Sequence, residues 1–456
     1  MQAGEPPLRG VFRTQGASGA CRTPLVPKSM MVRRSKVKKV VLAYSGGLDT
    51  SVAVAWLKEQ YGAEVVTLTV DLGGDSLRDS VGERALAAGA SRAYVIDGRD
   101  RFIRQFVWPS LQANALYQGV YPLATALARP LIAQLLVEVA DRERCDAVAH
   151  GCTGKGNDQV RFDVAVHALD PRLEVVAPMR VGMGLSRDEE IDYAVARGID
   201  IPITKESPYS IDVNLWGRSC ETGVLEDPWV TPPADAYEWT VAPGDAPDIP
   251  TELTIGFEGG VPVTLDGEAL GPVELVERVH ELGGKHGIGR IDHVEDRLVG
   301  IKSREIYETP AATILHTAHA SLEGLTFSKE QLRFNRLVAD ELAQATYDGI
   351  WFSALHRDLR EYVRSGQRVV NGQVRMRLEK GNAYVVGRRS DDSLYDRTLA
   401  TYDSDDAYDH ASSVGFIEIF GLPLRTEAAR HDSAWTWTEP MLGELPLEIT
   451  DSGVKV

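Results

Sequence analysis

One short segment, residues 40–51 (V-V-L-A-Y-S-G-G-L-D-T-S), constrains the fold of this chain more than any other. Its first four residues are apolar and begin with two valines, which is typical of a strand buried on both faces. A glycine-containing turn over residues 45–47 follows, and then a helix whose apolar positions extend to about Gln60. Because the first N–H groups of a helix have no partners within it and the helix dipole favours negative charge there, this unit predicts a phosphate-binding turn.

The two glycines of this turn, Gly46 and Gly47, would leave no Cβ between a phosphate group and the backbone. The alternative is an ordinary strand-to-helix turn in which Asp49 caps the helix. The pattern S-G-G-x-D-[ST] resembles the PP-loop of the ATP pyrophosphatase superfamily, and the Walker A pattern is absent. The resemblance implies that ATP is cleaved between its α and β phosphates and that a carbonyl oxygen is adenylated.

The pattern of the first half of the chain predicts strands that alternate with helices. The predicted strands are 64–70, 93–96, 147–149 and 173–177, and the predicted helices are 79–89, 129–142 and 186–197. This alternation indicates an α/β class fold with a parallel, doubly wound sheet. In such sheets ligands bind at the carboxyl ends of the strands, where Ser45 and Gly151 both fall.

The pattern changes near residues 201–202 and predicts a separate α+β domain. The expected elements are a hairpin over 251–265, helices over 272–282, 311–322 and 329–347, and paired strands over 368–379 and 383–388. The length of 456 residues is sufficient for two or three domains.

Charge and cysteine content narrow the possible partners and compartments. The net charge is −17, although residues 1–39 contain nine Lys and Arg against one Glu, so the remainder is near −25. So acidic a body repels a nucleic-acid backbone, which argues against a nucleic-acid partner. The four cysteines form no C-x-x-C pair, which is typical of reduced thiols in the cytoplasm. No apolar stretch approaches the roughly 18 residues of a membrane span.

A second polar stretch, residues 149–162 (A-H-G-C-T-G-K-G-N-D-Q-V-R-F), follows the strand 147–149. Asn157 offers a paired donor and acceptor, and Arg161 offers the planar fork that binds carboxylates. Asp158 either orients an amine or caps the next helix, and Lys155 either contacts a phosphate or is solvated. The residues alone leave both alternatives open.

Five segments of the chain together resemble the argininosuccinate synthase family of citrulline–aspartate ligases. They are A-Y-S-G-G-L-D-T-S, Y-P-L-A-T-A-L-A-R-P, H-G-C-T-G-K-G-N-D-Q-V-R-F, S-P-Y-S-I-D-V-N-L-W-G-R-S-C-E-T-G and G-I-G-R-I-D-H-V-E-D-R-L-V-G-I-K-S-R-E-I-Y-E-T-P. They occur in family order from about Val40 to about Leu424. The resemblance implies an AMP-forming carbon–nitrogen ligase of arginine biosynthesis, in which citrulline's ureido oxygen attacks the α-phosphate of ATP and forms citrullyl-AMP. The aspartate amine then displaces AMP to give argininosuccinate.

The resemblance also implies which residues bind each substrate. ATP would be held by Ala43, Tyr44, Ser45, Gly46, Gly47, Leu48, Asp49, Thr50, Ser51, Val70 and Gly151. Citrulline would be held by Tyr121, Asn157, Arg161, Ser210, Ser219, Glu295 and Tyr307. Aspartate would be held by Thr153, Asn157 and Asp158. Arg161 suits the citrulline carboxylate and Glu295 its ammonium group, and Asp158 and Arg161 are the expected catalytic residues.

The domains, partners and location follow from the same resemblance. We expect a disordered basic extension over 1–37, an ATP-binding PP-loop domain over 38–203, a synthetase and multimerisation domain over 204–424, and a tail over 425–456. We expect ATP as co-substrate together with Mg²⁺. Asp49 is a candidate to assist the metal ion, and its ligands are otherwise unassigned. We also expect a cytoplasmic homotetramer that binds neither nucleic acid nor membrane. The alternatives are another PP-loop adenylating ligase, such as a tRNA thiolase or NAD synthetase, and a non-catalytic nucleotide-binding sensor.

Overall fold

The computed structural model describes residues 37–74, 78–180, 183–184, 187–199 and 209–430. Three sequence predictions therefore fall wholly or largely outside the described residues. They are the basic extension over 1–37, the domain boundary between 203 and 204, and the tail over 425–456 beyond Arg430.

A five-stranded parallel sheet forms the first half of the molecule, with strand order β3-β2-β1-β4-β5. Its strands are β1 (Lys39–Ala43), β2 (Glu64–Asp71), β3 (Arg92–Asp97), β4 (Ala147–Ala149) and β5 (Glu174–Val176). The helices that follow them are α1 (Leu48–Tyr61), α2 (Arg78–Ala87), α3 (Arg99–Phe102), a π-helical segment (Ile103–Val107), α4 (Trp108–Gln112), α5 (Ala124–Glu143), α6 (Asp158–Leu169) and α7 (Arg187–Val195). The predicted α/β class with a parallel sheet is confirmed.

The central strand β1 determines where a ligand can bind. Its residues Val40, Val41 and Leu42 are fully buried, and the strand pairs with β2 on one side and β4 on the other. The strand order reverses here, so a crevice opens between the carboxyl ends of β1 and β4. The turn after β1 and the loop after β4 therefore face each other.

Helix α5 begins earlier than predicted, at Ala124 instead of Arg129. The prediction rested on an amphipathic stripe, whereas the first turns carry the small buried residues Ala124, Ala126 and Ala128. A helical turn that is buried on several sides has no polar face. The alternation of apolar and polar residues therefore does not reveal where this helix begins.

The second half of the molecule contains two antiparallel sheets. One has the strand order β10-β9-β8-β13-β14 and consists of β8 (Thr251–Glu258), β9 (Val261–Leu265), β10 (Glu268–Ala269), β13 (Gly372–Glu379) and β14 (Asn382–Arg389). Four helices accompany it, namely α8 (Pro272–Lys285), α9 (Pro310–Thr326), α10 (Lys329–Tyr347) and α11 (Ala354–Gln367). The predicted hairpin and α10 are confirmed. The strand predicted from residue 368 begins only at Gly372, because the chain before it is still leaving α11.

The other antiparallel sheet was not predicted and has the order β11-β12-β7-β6. Its strands are β6 (Ser210–Asn214), β7 (Gly217–Glu221), β11 (Arg290–Asp296) and β12 (Lys302–Glu308). These strands are rich in charged residues on both faces, so apolar alternation does not reveal them.

The described chain ends in three helices that pack loosely. They are α12 (Arg397–Ala400), α13 (His410–Phe420) and α14 (Leu422–Arg430), and none of them contains a buried residue. Within the described ranges, no helix combines the length and the apolar character that crossing a membrane requires.

A buried glutamate in α9 makes the stability of the fold depend on pH. Burial raises the pKa of Glu323 to about 7 from its ordinary value of 4.5, although amide groups of Gln367 and Asn114 donate to it. Between these two values the folded protein binds the proton and the unfolded chain does not. We therefore expect the free energy of unfolding to fall as pH rises from about 4.5 to about 7, by an amount on the order of 3 kcal/mol.

The variant Glu323→Gln should remove this dependence. Urea unfolding at pH 5 and pH 8 measures it, and the exposed residue Glu330, changed to Gln, is the control. We expect the stability difference between the two pH values to shrink in Glu323→Gln and to stay unchanged in Glu330→Gln. Equal pH dependence in wild type and Glu323→Gln would contradict the assignment.

Candidate active site

A cavity of about 500 Å³ opens at the carboxyl edge of the parallel sheet. Most of the residues that the sequence assigns to ATP line it, namely Ala43, Tyr44, Ser45, Gly47, Leu48, Asp49, Thr50, Val70 and Gly151. The cavity thus lies at the predicted crevice between β1 and β4.

The turn after β1 and the first residues of α1 line this cavity. Gly47 is the N-cap of α1 and no side chain caps the helix, so the alternative that Asp49 is the N-cap is wrong. Internal hydrogen bonds hold the turn: the Ser45 hydroxyl lies 3.2 Å from that of Thr50, and the Thr50 hydroxyl donates to the Gly47 carbonyl at 3.3 Å. The uncapped helix terminus is therefore available to an anionic ligand.

Gly46 and Ser51 lie outside the cavity wall and shape the turn instead. Gly46 has φ +80°, and a Cβ there would lie 2.9 Å from both Val81 and Arg84. Ser51 is buried and shares a hydrogen bond of 2.9 Å with the Tyr44 hydroxyl. These contacts fix the path of the backbone around the cavity.

Asp158 connects the cavity to a partly buried ionic group. Its two oxygens accept from Arg129 at 2.7 Å and from Arg161 at 3.0 Å. Burial opposes its ionisation, but the two guanidinium charges prevail and hold the pKa of Asp158 at about 2. Asn157 is the N-cap of α6 and makes no side-chain cap, so the capping alternative for Asp158 is wrong. The carboxylate is thus anionic at neutral pH and a weak proton acceptor.

Arg161 is buried yet keeps part of its fork unused. The side chain is 4% exposed, its Nε donates to the Tyr347 carbonyl at 2.8 Å, and its guanidinium lies 4.7 Å from the centre of the Tyr347 ring. Its Nη2 is buried and has no partner among the described residues. A buried, unpaired N–H of a guanidinium is suited to bind a ligand carboxylate.

One face of the second antiparallel sheet brings together the distant residues assigned to citrulline. Ser219 pairs with Tyr307 on one side and with Asp212 on the other. Ser210 lies two positions before Asp212, and Glu295 pairs with the residue four positions before Tyr307. Because side chains alternate along strands and paired residues share a face, Ser210, Ser219, Glu295 and Tyr307 lie on the same face.

Tyr347 joins this face to Asn157, at the end of the loop after β4. Its hydroxyl donates to Glu295 at 2.5 Å and accepts from the Asn157 amide at 2.8 Å. Tyr307 donates to the same carboxylate at 2.6 Å, and Tyr121 stacks on Tyr307 with ring centres 4.1 Å apart. Glu295 is only 2% exposed, so these hydroxyls are its principal hydrogen-bond donors.

The remaining predicted residues occupy the rim of this group. Thr153 lies on the exposed part of the loop after β4, and Ser210 lies at the exposed start of β6. Their side chains make no hydrogen bond with Arg161, Glu295 or Asp158 in the described part of the chain.

Sequence reasoning assigned no role to three residues that build the site: Arg129, Asp212 and Tyr347. Arg129 donates to Asp158 and, at 2.5 Å, to Asp212, and both Arg129 and Asp212 line the cavity. Arg129 and Asp212 lie within the segments that carry the family resemblance, so a signal was present. Tyr347 is the last residue of α10 and lies in none of those segments, so only the tertiary fold brings it to the site.

Comparison with known proteins gives a consistent result. The family model described as the arginosuccinate synthase N-terminal HUP domain matches residues 39–200, and the model of the C-terminal domain matches residues 209–427. The chain is 56% identical over 393 residues to argininosuccinate synthase of Symbiobacterium thermophilum. This alignment covers 86% of this chain and 98% of the relative. The chain is 54% identical to the enzyme of Geobacillus kaustophilus over 390 residues, covering 86% and 96%.

Proposed function

This chain belongs to the argininosuccinate synthase family, and from that premise we propose how its residues divide the substrates between them. It is a citrulline–aspartate ligase of arginine biosynthesis that uses ATP as co-substrate. Neither another PP-loop ligase nor a non-catalytic sensor is favoured.

ATP occupies the 500 Å³ cavity in this proposal, with its phosphates over the turn of residues 45–47. The uncapped N-terminus of α1 supports this placement, since its free N–H groups and dipole favour an anion. Val70 and Gly151 also line the cavity and contact the nucleoside in this proposal.

Citrulline lies between Arg161 and the face that carries Glu295. The free Nη2 of Arg161 binds its carboxylate and Glu295 binds its ammonium group, while Ser219 and Asn157 meet its neutral polar groups. The observation that carries the proposal is the connected set Asp158–Arg161–Tyr347–Glu295, which runs from the ATP cavity to this face. It supports a citrulline whose ureido group points toward the α-phosphate.

Aspartate enters beside Thr153, Asn157 and Asp158. Asp158 orients the aspartate amine by accepting a hydrogen bond, because a carboxylate with a pKa near 2 is too weak a base to remove the proton of an ammonium group. Catalysis then rests on holding both amino acids close to the α-phosphate and on stabilising developing charge.

Magnesium fits this site as a partner of the ATP phosphates and not as a closed protein centre. Among the described residues, no group of three or more His, Cys, Asp or Glu side chains could hold a metal ion. Mg²⁺ commonly uses one or two carboxylates together with phosphates and water, and Asp49 lines the cavity beside the turn. When bound there, the ion would neutralise charge on the departing pyrophosphate.

Exposed apolar side chains on α13 support the proposed homotetramer. In α13, five apolar residues are each between 63% and 71% exposed, namely Val414, Phe416, Ile417, Ile419 and Phe420. Continuous exposed apolar surface of this kind is typical of a protein interface.

We also propose that the chain divides into an ATP-binding domain (38–203) and a synthetase and multimerisation domain (204–424). We propose a cytoplasmic location for the protein.

Isotope transfer tests the reaction and the orientation of citrulline together. With citrulline labelled with ¹⁸O in the ureido group, ATP, Mg²⁺ and aspartate, we expect the label in AMP, because the ureido oxygen bonds to the α-phosphorus and leaves with it. Mass spectrometry of AMP measures the transfer, and pyrophosphate release without citrulline is the control. Unlabelled AMP, or pyrophosphate release that does not require citrulline, would contradict the proposal.

A further inference from the structure

A guanidinium group without a counter-charge lies against the phosphate-binding turn. Arg84 is in α2, and its Nε and Nη2 atoms are buried and have no hydrogen-bond partner among the described residues. Leaving a charged donor buried and unpaired is unfavourable, and more so than leaving a neutral one. Such a group is suited to bind an anion.

The guanidinium group of Arg84 lies next to Gly46 in the turn. The Nη2 atom of Arg84 lies 2.9 Å from where a Cβ on Gly46 would be, and the Cζ atom lies 3.5 Å from the same point. Val81, one helical turn earlier on the same face of α2, lies equally close and also lines the ATP cavity. The absence of a side chain at Gly46 therefore allows the guanidinium to approach the backbone of the turn.

Three other arginines near the cavity each donate to a carboxylate. Arg129 and Arg161 share Asp158, and Arg180 donates to Asp163 at 2.8 Å. Arg84 differs from them in having no such carboxylate partner within the described part of the chain. It is thus the arginine beside the turn whose charge is available to a ligand.

We propose that Arg84 binds the β- and γ-phosphates of ATP and then the pyrophosphate leaving group. The proposal rests on the placement of ATP given above. As the bond from the ureido oxygen to the α-phosphorus forms, the bond to the bridging oxygen breaks and its electron pair stays on pyrophosphate. A planar guanidinium that remains protonated matches those phosphate oxygens and stabilises the charge that they gain.

The test compares nucleotides that differ only in the phosphates concerned. Binding of ATP with Mg²⁺, of AMP and of pyrophosphate is measured by calorimetry without citrulline or aspartate, so that no turnover occurs. For Arg84→Gln we expect ATP and pyrophosphate to bind about 10- to 100-fold more weakly, the usual contribution of a charged hydrogen bond, and AMP to bind as in wild type. Arg92→Gln removes the same charge at the amino end of β3, away from the turn, and should change none of the three.

A merely structural role for Arg84 would give a different pattern. Distortion of the turn would weaken AMP and ATP equally, and that result, or unchanged ATP binding, would overturn the proposal. If Arg84→Gln does not fold, Arg84→Lys keeps the charge without the fork and should still weaken ATP and pyrophosphate selectively. Suppose that the wild-type enzyme turns over only with citrulline, while the Arg84 variants bind ATP and pyrophosphate as the wild type does. That result would reject the role of Arg84 alone and would leave the proposed function intact.

Discussion

Replacement of Arg161 by glutamine is expected to lower kcat/KM for citrulline by roughly 100- to 1,000-fold, the usual effect of truncating one partner of a buried, hydrogen-bonded charge pair. Arg161 is 4% exposed, and its Nη2 is the buried donor available for the citrulline carboxylate. Steady-state pyrophosphate release with varied citrulline measures the effect. We expect KM for citrulline to rise, and KM for ATP to change much less.

Two other contacts of Arg161 make a control of the fold necessary. It donates to Asp158 and to the Tyr347 carbonyl, so its loss also removes support from both. Arg161→Lys keeps the charge but not the fork, and should recover part of the loss. Arg172→Gln removes an arginine that is 84% exposed beyond the end of α6, and should leave both KM values unchanged. A folded Arg161→Gln enzyme with the wild-type KM for citrulline would contradict the assignment.

Local motifs in the sequence predicted which residues line the cavity at the start of α1. Residues 40–51 form one strand, one turn and one helix, so their chemistry depends on contacts between near neighbours, and the resulting wall of the cavity is the predicted one. What the motif does not show is the role of Gly46, whose conformation depends on packing against Val81 and Arg84 in α2. That packing joins elements about 40 residues apart in the chain.

The citrulline half of the site was predicted only through the family resemblance. Ser219, Glu295 and Tyr307 share a face because β7, β11 and β12 pair in one register, and these charged strands have no periodic signal. Tyr347 was missed for a related reason, since an aromatic residue at the end of an amphipathic helix is more often part of the core. Its hydrogen bond to Glu295 depends on the packing of α10 against α5 and α11, which places the end of α10 beside that sheet.

The role of Asp158 could be only partly predicted from the sequence. The sequence placed Asp158 at the start of a helix and left capping and amine orientation open. The structure excludes capping and adds Arg129 and Asp212, of which the latter comes from the other half of the chain. The pKa of Asp158 follows from those tertiary neighbours, so no local pattern could have indicated a weak base.

Replacement of Gly46 by alanine is expected to raise KM for ATP by about 100-fold, since a displacement of about 1 Å in a positioned reactant can cost that much. The residue has φ +80°, where an L-residue is disfavoured, and the new Cβ would lie 2.9 Å from Val81 and from Arg84. The turn must then move away from α2 and toward the phosphates. Steady-state kinetics with varied ATP, together with calorimetric ATP binding, measures the result.

Gly62→Ala separates the cost of the backbone conformation from the cost of the contact. Gly62 ends α1 with φ +63°, and a Cβ there would meet nothing within 4 Å. Both variants should therefore lose stability by about 1–2 kcal/mol from the left-handed backbone, whereas only Gly46→Ala should lose ATP affinity. If the two variants bind ATP equally well, the turn does not hold the phosphates, and the placement of ATP over residues 45–47 is wrong.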